Sequence, residues 1–350
     1  CVRTAEALGT CCTTLTAPIY AEKHLINGPR RKELPMQNII RHPLTDIIDR
    51  HGALVVDGAM STALEALGAD LNDSLWSAKE LVEAPERIER VHYDYFCAGA
   101  NAAITASYQA SEAGFAKKGI GADRAAELIG LSVKLGLNAK RRVLEENPER
   151  DPRDLVVAGS IGPYGAFLAN GSEYTGQYNL TKDEFVAFHK LRLEALLDAG
   201  ADLLAVETQP RLDEIEAILS MLEGRDAVCW VTMTLGDEAH LPDGTPLEAV
   251  AALLDVNPHV EAMGLNCIKR ELAEPALKRL AAATKKPLIV YPNSGETYDP
   301  ATKTWHHPVA GGHDWSHFVP LWQRAGAKCI GGCCRTLPQD ILTIAKLLGA

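Results

Sequence analysis

The sequence lacks three things that would each point to a class of protein. It has no extended basic run. Arg30-Arg31-Lys32 stands out near the start only as a short cluster, and 35 Lys plus Arg against 46 Asp plus Glu leave a net charge of -11. A broad surface for nucleic acid or an anionic membrane is thereby excluded. It has no uninterrupted apolar stretch of the roughly 18 residues that crossing a bilayer takes. Residues 1–20 also lack the ordered basic, apolar and small-residue regions of a signal peptide. The cytoplasm is the expected location, with small molecules as partners. Finally, it has no compositional bias: 47% hydrophobic and 23% charged residues are ordinary globular values, which excludes disordered, collagen-like and coiled-coil chains.

What is present is an odd set of nine cysteines, Cys1, Cys11, Cys12, Cys97, Cys229, Cys267, Cys329, Cys333 and Cys334. An odd number with an adjacent pair in a chain of 350 residues reads as reduced thiols serving a metal or catalysis, not as a disulfide framework. Cys97, Cys229 and Cys329 sit in apolar runs and read as small buried hydrophobes.

Residues 1–35 carry no sustained periodicity and end in the polar stretch Asn27-Gly28-Pro29-Arg30-Arg31-Lys32. They read as a leader or extension outside the fold, with residues 36–350 forming the folded domain. From Ile39 onward, eight strand-length apolar runs recur, at Ala53–Ala59, Asn101–Tyr108, Leu155–Ile161, Leu203–Thr208, Val228–Leu235, Ala262–Cys267, Pro287–Pro292 and Lys328–Cys333. Stretches with apolar residues three and four apart separate them, such as 184–196 and 246–254, and predict helices. Runs that are continuously apolar suit a parallel sheet covered on its outside. Eight such units predict an α/β fold, a single-domain (β/α)8 TIM-type barrel, with an open doubly wound sheet as the alternative.

A barrel of this kind places its chemistry at the carboxyl ends of its strands. Polar residues gather there: Asp57-Gly58 after the first run, Tyr108-Gln109 after the second, Glu207 at the fourth, Asn266-Cys267 at the sixth and Gly331-Gly332-Cys333-Cys334 at the eighth. A Gly-Gly-Cys-Cys string alone reads equally well as a structural turn with buried thiols. The Asn-Cys ending the sixth run tips the balance, because alternate barrel strands lie close enough for three thiolates to face one point. Catalytic zinc takes three protein ligands and keeps a fourth position open. A thiol bound there loses its proton yet stays nucleophilic, so alkyl transfer to sulfur is the natural chemistry. A zinc hydrolase on a barrel is a rival, although such enzymes favour His and Asp ligands.

Seven strings carry a resemblance: Asp57-Gly58-Ala59-Met60, Leu75-Trp76-Ser77-Ala78-Lys79, Gly159-Ser160-Ile161-Gly162-Pro163-Tyr164-Gly165-Ala166, Gly171-Ser172-Glu173-Tyr174, Gly264-Leu265-Asn266-Cys267, Tyr291-Pro292-Asn293-Ser294-Gly295-Glu296 and Gly331-Gly332-Cys333-Cys334-Arg335. Together they make the chain from about Ile39 to its end resemble the homocysteine S-methyltransferases, of the type that uses S-methylmethionine or S-adenosylmethionine. The resemblance implies zinc on Cys267, Cys333 and Cys334. It places Asp57, Gly58, Trp76 and Glu207 around homocysteine, with Glu207 on the substrate ammonium, and Tyr108, Gln109 and Asn266 beside the site. Blander readings stand beside these: a turn for Asp57, a core aromatic for Trp76, a structural ion pair for Glu207. Betaine-using relatives place a tyrosine where Gln109 aligns, so water or Gln109 is the expected resting occupant of the fourth zinc position. His306, His307 and His313 read as loop residues, with His307 a candidate for the donor pocket. A rival from another class is a homocysteine-binding module that depends on a partner.

Overall fold

The backbone of residues 41–71, 75–295, 297–299, 304–306 and 314–349 is described by a computed structural model. Residues 1–35, His307 and His313 lie outside the described residues, as do the side chains of Trp76 and His306. From Ile39 onward the chain forms one compact unit.

The strands are β1 (Leu54–Val55), β2 (Ala102–Ile104), β3 (Val156–Ile161), β4 (Leu203–Gln209), β5 (Cys229–Met233), β6 (Val260–Asn266), β7 (Leu288–Tyr291), a short pair β8 (Thr297–Asp299) and β9 (Thr304–His306), and β10 (Ala327–Ile330). Eight of them form one parallel sheet in the order β1-β10-β7-β6-β5-β4-β3-β2. A parallel bridge between Val56 and Ala102 brings its two edges together. The amide of Asp57 donates to the Ala102 carbonyl at 3.0 Å on that seam, and the amide of Asn101 to Val55 at 2.8 Å. The result is a (β/α)8 barrel, as the eight apolar runs predict. The antiparallel pair β8 and β9, inserted between the last two barrel strands, was not legible in those runs.

Strands β3 to β7 are buried at every position, because helices cover the outside and side chains fill the inside. The two faces make two cores. Leu54, Val56, Ala102, Ala158, Ala205, Ala262 and Ile289 point to one, with Leu44 and Ile47 of the helix Pro43–His51 packed among them. Val55, Val157, Leu204, Val206 and Met263 join the larger core under the helices. The inward alanines make room for Trp230 and Tyr291, whose rings meet nearly edge to face at 6.4 Å.

Local chemistry explains where helices begin. Thr181 opens the helix Lys182–Asp198 with a capping box. The carboxylate of Glu261, on β6, accepts from the amide of Thr45 at 3.0 Å and so holds the first turn of Pro43–His51 against the barrel. Cys97, read from sequence as buried, is instead exposed at the end of the helix Pro85–Cys97. No helix among the described residues is long and apolar enough to cross a membrane.

Candidate metal and active site

The carboxyl ends of β4, β6, β7 and β10 converge on one cavity. Among the residues lining it are Gly58, Tyr108, Tyr174, Glu207, Thr208, Asn266, Cys267, Tyr291, Cys333 and Cys334. The three thiols come from two strand ends, yet their sulfurs all lie within 4.8 Å of one another. Cys267 and Cys334 are 3.6 Å apart. Three soft donors gathered at this spacing on a cavity wall can hold a metal ion, and the set is open on the cavity side. Among the described residues this is the sole cluster of metal-binding side chains with that geometry.

The backbone beneath the thiols is held in unusual shapes. Thr208 and Cys267 both adopt positive φ, 58° and 52°, a conformation that costs an ordinary residue on the order of 1 kcal/mol. Asn266 locks the pair in place. Its Oδ1 accepts from the Thr208 amide at 2.7 Å, and its Nδ2 donates to Thr208 Oγ1 at 2.8 Å. The Cys333 amide donates to the Pro292 carbonyl at 2.8 Å, and the Cys334 amide to Asn293 Oδ1 at 3.2 Å. Gly331 and Gly332 are needed for close approach: a Cβ on them would lie 2.6 Å from Val56 Cβ and 2.5 Å from Thr336 Cγ2.

Glu207 faces the same cavity. Burial pushes its carboxyl up to about 7, against the pull of hydrogen bonds from Ser160 and Tyr291. Ser160 Oγ donates to Oε1 and Tyr291 Oη to Oε2, the latter at 3.1 Å. Trp230 Nε1 in turn donates to Tyr291 Oη at 3.0 Å, and Thr232 lies 2.8 Å from it. Each carboxylate oxygen keeps a further lone pair for a ligand. Asp57 lies behind Gly58, 2% exposed. Its Oδ2 accepts from the Ile104 amide at 2.8 Å, while Oδ1 is buried without a partner. Burial first, and the charge of Glu207 among lesser causes, hold its carboxyl well above the usual range.

Of the residues marked in sequence, Gly58, Tyr108, Glu207, Asn266 and the three cysteines line the cavity. Gln109 turns away from it: Nε2 donates to the Ala166 carbonyl at 2.9 Å, and the side chain is not part of the lining. The group that does stand at the thiols is Tyr174, whose hydroxyl lies 3.2 Å from Cys267 Sγ. Trp76 begins the short 3-10 turn Trp76–Lys79. Sequence reasoning quoted Tyr174, Ser160 and Tyr291 within strings and gave none of them a role. For Ser160 and Tyr291 a hydroxyl near the end of an otherwise apolar run was the available signal, and Tyr174, in a polar string between runs, offered none.

A buried network supports the segment that carries Tyr174. Glu214, fully buried on the helix Leu212–Ser220, accepts from the amide of Tyr164 at 2.6 Å and from Tyr178 Oη at 2.5 Å. It thus holds both ends of residues 164–178. His189 Nε2 donates to Glu214 at 2.8 Å, and Arg192 donates to His189 Nδ1 at 2.7 Å. This geometry makes His189 the neutral Nε2–H tautomer, and burial lowers its pKa. Arg192 also donates to the carbonyls of Tyr108 and Gly162, each at 2.7 Å. A Cβ on Gly165 would lie 2.6 Å from the Ser172 carbonyl carbon, so the two halves of the segment pack backbone to backbone.

Comparison with known proteins agrees with this geometry. A family model described as homocysteine S-methyltransferase matches residues 54–348. The chain belongs to that family. A homocysteine S-methyltransferase of Escherichia coli is 53% identical over 304 residues, covering 87% of this chain and 97% of the relative. The Bacillus subtilis homocysteine S-methyltransferase YbgG is 47% identical over 307 residues, with the same coverage of 87% and 97%. The crystal structure of the E. coli homocysteine methyltransferase MmuM in its metallated form matches with a TM-score of 0.79 at 50% identity. It covers 87% of this chain and 99% of that one. Its oxidised form matches with the same TM-score over 89% of this chain and 100% of that one. The family's barrel is therefore carried here almost whole, with the thiol cluster at its mouth.

Proposed function

We propose that the barrel, residues 36–350, transfers a methyl group from a sulfonium donor, S-methylmethionine or S-adenosylmethionine, to the sulfur of L-homocysteine, forming methionine. The observation that carries this reading is the juxtaposition of three thiols within 4.8 Å with the buried acid Glu207 across one cavity. Cys267, Cys333 and Cys334 would hold zinc, for which three sulfur donors and an open side are a fitting set. Bound there, zinc lowers the pKa of an incoming thiol and leaves the sulfur nucleophilic.

The chain's own residues do the rest. Glu207 takes the substrate ammonium, which offsets the cost of burying a carboxylate. Gly58 lines the cavity where the polar end of the amino acid would lie, and close packing keeps the position a glycine, since a Cβ there would collide with Thr336 and Tyr95 at 2.8 Å. Tyr174 covers the thiols and limits access of water. As the new carbon–sulfur bond forms, the donor's bond to the methyl breaks and its electron pair returns to the donor sulfur, which leaves as a neutral thioether. No general acid is needed. The gain lies in alignment and exclusion of water. Reduced thiols suit a reducing compartment, and we place the protein in the cytoplasm.

The test is methionine formation by the zinc-loaded protein from homocysteine with S-methylmethionine, S-adenosylmethionine or betaine. Product from either sulfonium and none from betaine is expected. Absence of product from every donor would remove the reading, and hydrolysis without a thiol acceptor would favour a different enzyme class.

A further inference from the structure

Methyl transfer at a zinc–thiolate centre brings four sulfurs within reach of one alkylating donor. Three belong to the chain and one to homocysteine, and a metal-bound thiolate stays nucleophilic whichever residue carries it. A methyl group placed on a ligand cysteine would turn that thiolate into a neutral thioether, a far weaker zinc ligand. The chain therefore needs a means of directing the methyl to the fourth sulfur.

The ligand thiols are not placed alike. Cys333 packs against the inner barrel core that includes Tyr291, the tyrosine that completes Glu207, so homocysteine seated on Glu207 lies over it. Cys267 faces Tyr174, which lines the cavity and still keeps 42% of its surface exposed. Tyr174 thus stands between this sulfur and the solvent from which a donor arrives. Its hydroxyl lies 3.2 Å from Cys267 Sγ. A phenol keeps its proton at neutral pH and a metal-bound thiolate has none to give, so the hydroxyl donates and the sulfur accepts. No hydroxyl of a described residue makes such a bond to Cys333 or Cys334. The Cys267 backbone is fixed at a φ of 52° beside the lock between Asn266 and Thr208, which keeps the sulfur where the hydroxyl meets it.

A hydrogen bond to a ligand thiolate draws charge from the sulfur, and nucleophilicity falls as basicity falls. We propose that Tyr174 is a specificity-determining residue that directs the methyl group: its hydroxyl occupies a lone pair of the Cys267 sulfur and leaves the homocysteine sulfur the stronger nucleophile. The inference rests on the methyl-transfer reading above. In the reaction it suppresses, the Cys267 sulfur forms the bond to the methyl carbon as the donor's carbon–sulfur bond breaks. The electron pair returns to the donor sulfur, and the products are S-methylcysteine in the chain and a neutral thioether.

The test is peptide mass analysis of the zinc-loaded full chain during turnover of homocysteine with S-methylmethionine or S-adenosylmethionine. It compares the wild type with Tyr174→Phe, which keeps the ring and removes only the hydroxyl. Both start with one zinc per chain. After equal numbers of turnovers the variant is expected to carry methyl on Cys267 at about ten times the wild-type level, the scale of one hydrogen bond to a charged group. It should lose zinc and activity in step with that mark. Methylation in Tyr174→Leu but not in Tyr174→Phe would assign the protection to the ring and overturn the role of the hydroxyl. Methyl on Cys333 or Cys334 in place of Cys267, or on none of the three, would overturn it too. Each of these results leaves the methyl-transfer reading intact, because methionine formed by the wild type in the same runs decides that reading. A wild type that makes no methionine from either donor removes both.

Discussion

Glu207 and Glu261 are both buried acids on barrel strands, and burial lifts each to about 7. They sit toward opposite ends of the barrel and serve different ends. Glu261 spends its carboxylate on Thr45, whose amide and hydroxyl both donate to Oε2 at the start of a helix. Glu207 is held by hydroxyls of two other strands and still faces a cavity. The cysteines divide in the same way. Cys229 and Cys329 are isolated thiols in the packed barrel, their pKa raised by burial. Cys267, Cys333 and Cys334 share one point at its mouth. Burial and residue type are common to both regions. What separates a site from a scaffold is convergence of groups on space that a ligand can fill.

The sharpest way to break this comparison is to truncate thiols in both regions. Cys267→Ala or Cys333→Ala should weaken metal binding by more than about 100-fold, the scale on which even outlying partners of a metal site act, and abolish methyl transfer. Cys229→Ala or Cys329→Ala should keep full metal content and cost about 1–2 kcal/mol of stability. Metal analysis and urea unfolding read the two outcomes. Metal loss from the Cys229 variant would erase the distinction.

The acids provide the next test. Glu207→Gln should lower kcat/KM for homocysteine by about 100-fold, the weight of an ionic hydrogen bond to substrate. In the wild-type enzyme kcat/KM should rise as pH passes through about 7, where Glu207 ionises. Glu261→Gln should leave activity intact and alter the pH dependence of stability. A carboxyl whose folded pKa of about 7 exceeds its ordinary 4.5 binds a proton more tightly when folded, so its stabilising effect is present below 4.5 and is lost as pH rises through 7. The substitution should flatten part of that decline in urea midpoints measured from pH 4 to 8. An unchanged slope would contradict the role given to burial.

A smaller effect on turnover is expected from Glu214→Gln. Its geometry concerns the segment 164–178, not the thiols, so metal content should persist while donor KM rises about ten-fold. Stability should fall by about 2–3 kcal/mol because Arg192 and His189 lose their buried anion. Parallel loss of zinc would show that the segment supports the metal cluster itself.

Much of this arrangement was legible in sequence because it depends on local pattern. Continuous apolar runs marked the barrel strands, and the polar residue closing each run marked the mouth. The runs overstated strand length: Ala53–Ala59 contains only Leu54–Val55 as β1, since Asp57 and Gly58 turn away to build the site. Partners supplied by distant strands were not legible. Nothing near Tyr291 in sequence reveals that it completes Glu207 of β4, and nothing near Glu214 reveals that it holds Tyr164 and Tyr178. Gln109 and Tyr174 show the same limit. Alignment with the tyrosine of betaine-using relatives suggested Gln109 for the space at the thiols, whereas the segment after β3 brings Tyr174 there from 93 residues away from Cys267. Such contacts arise from barrel closure and from backbone packing at Gly165, and a one-dimensional pattern does not record them.

The central claim is that the three clustered thiols, with zinc, perform methyl transfer to homocysteine. Its most direct test is a titration of zinc into the metal-free, reduced protein, with methionine formation from S-methylmethionine followed at each step. The account predicts activity that rises in proportion to bound zinc and reaches its limit at one zinc per chain, with no response in Cys333→Ala. Full activity without metal, or zinc retained one to one by Cys333→Ala, would contradict it.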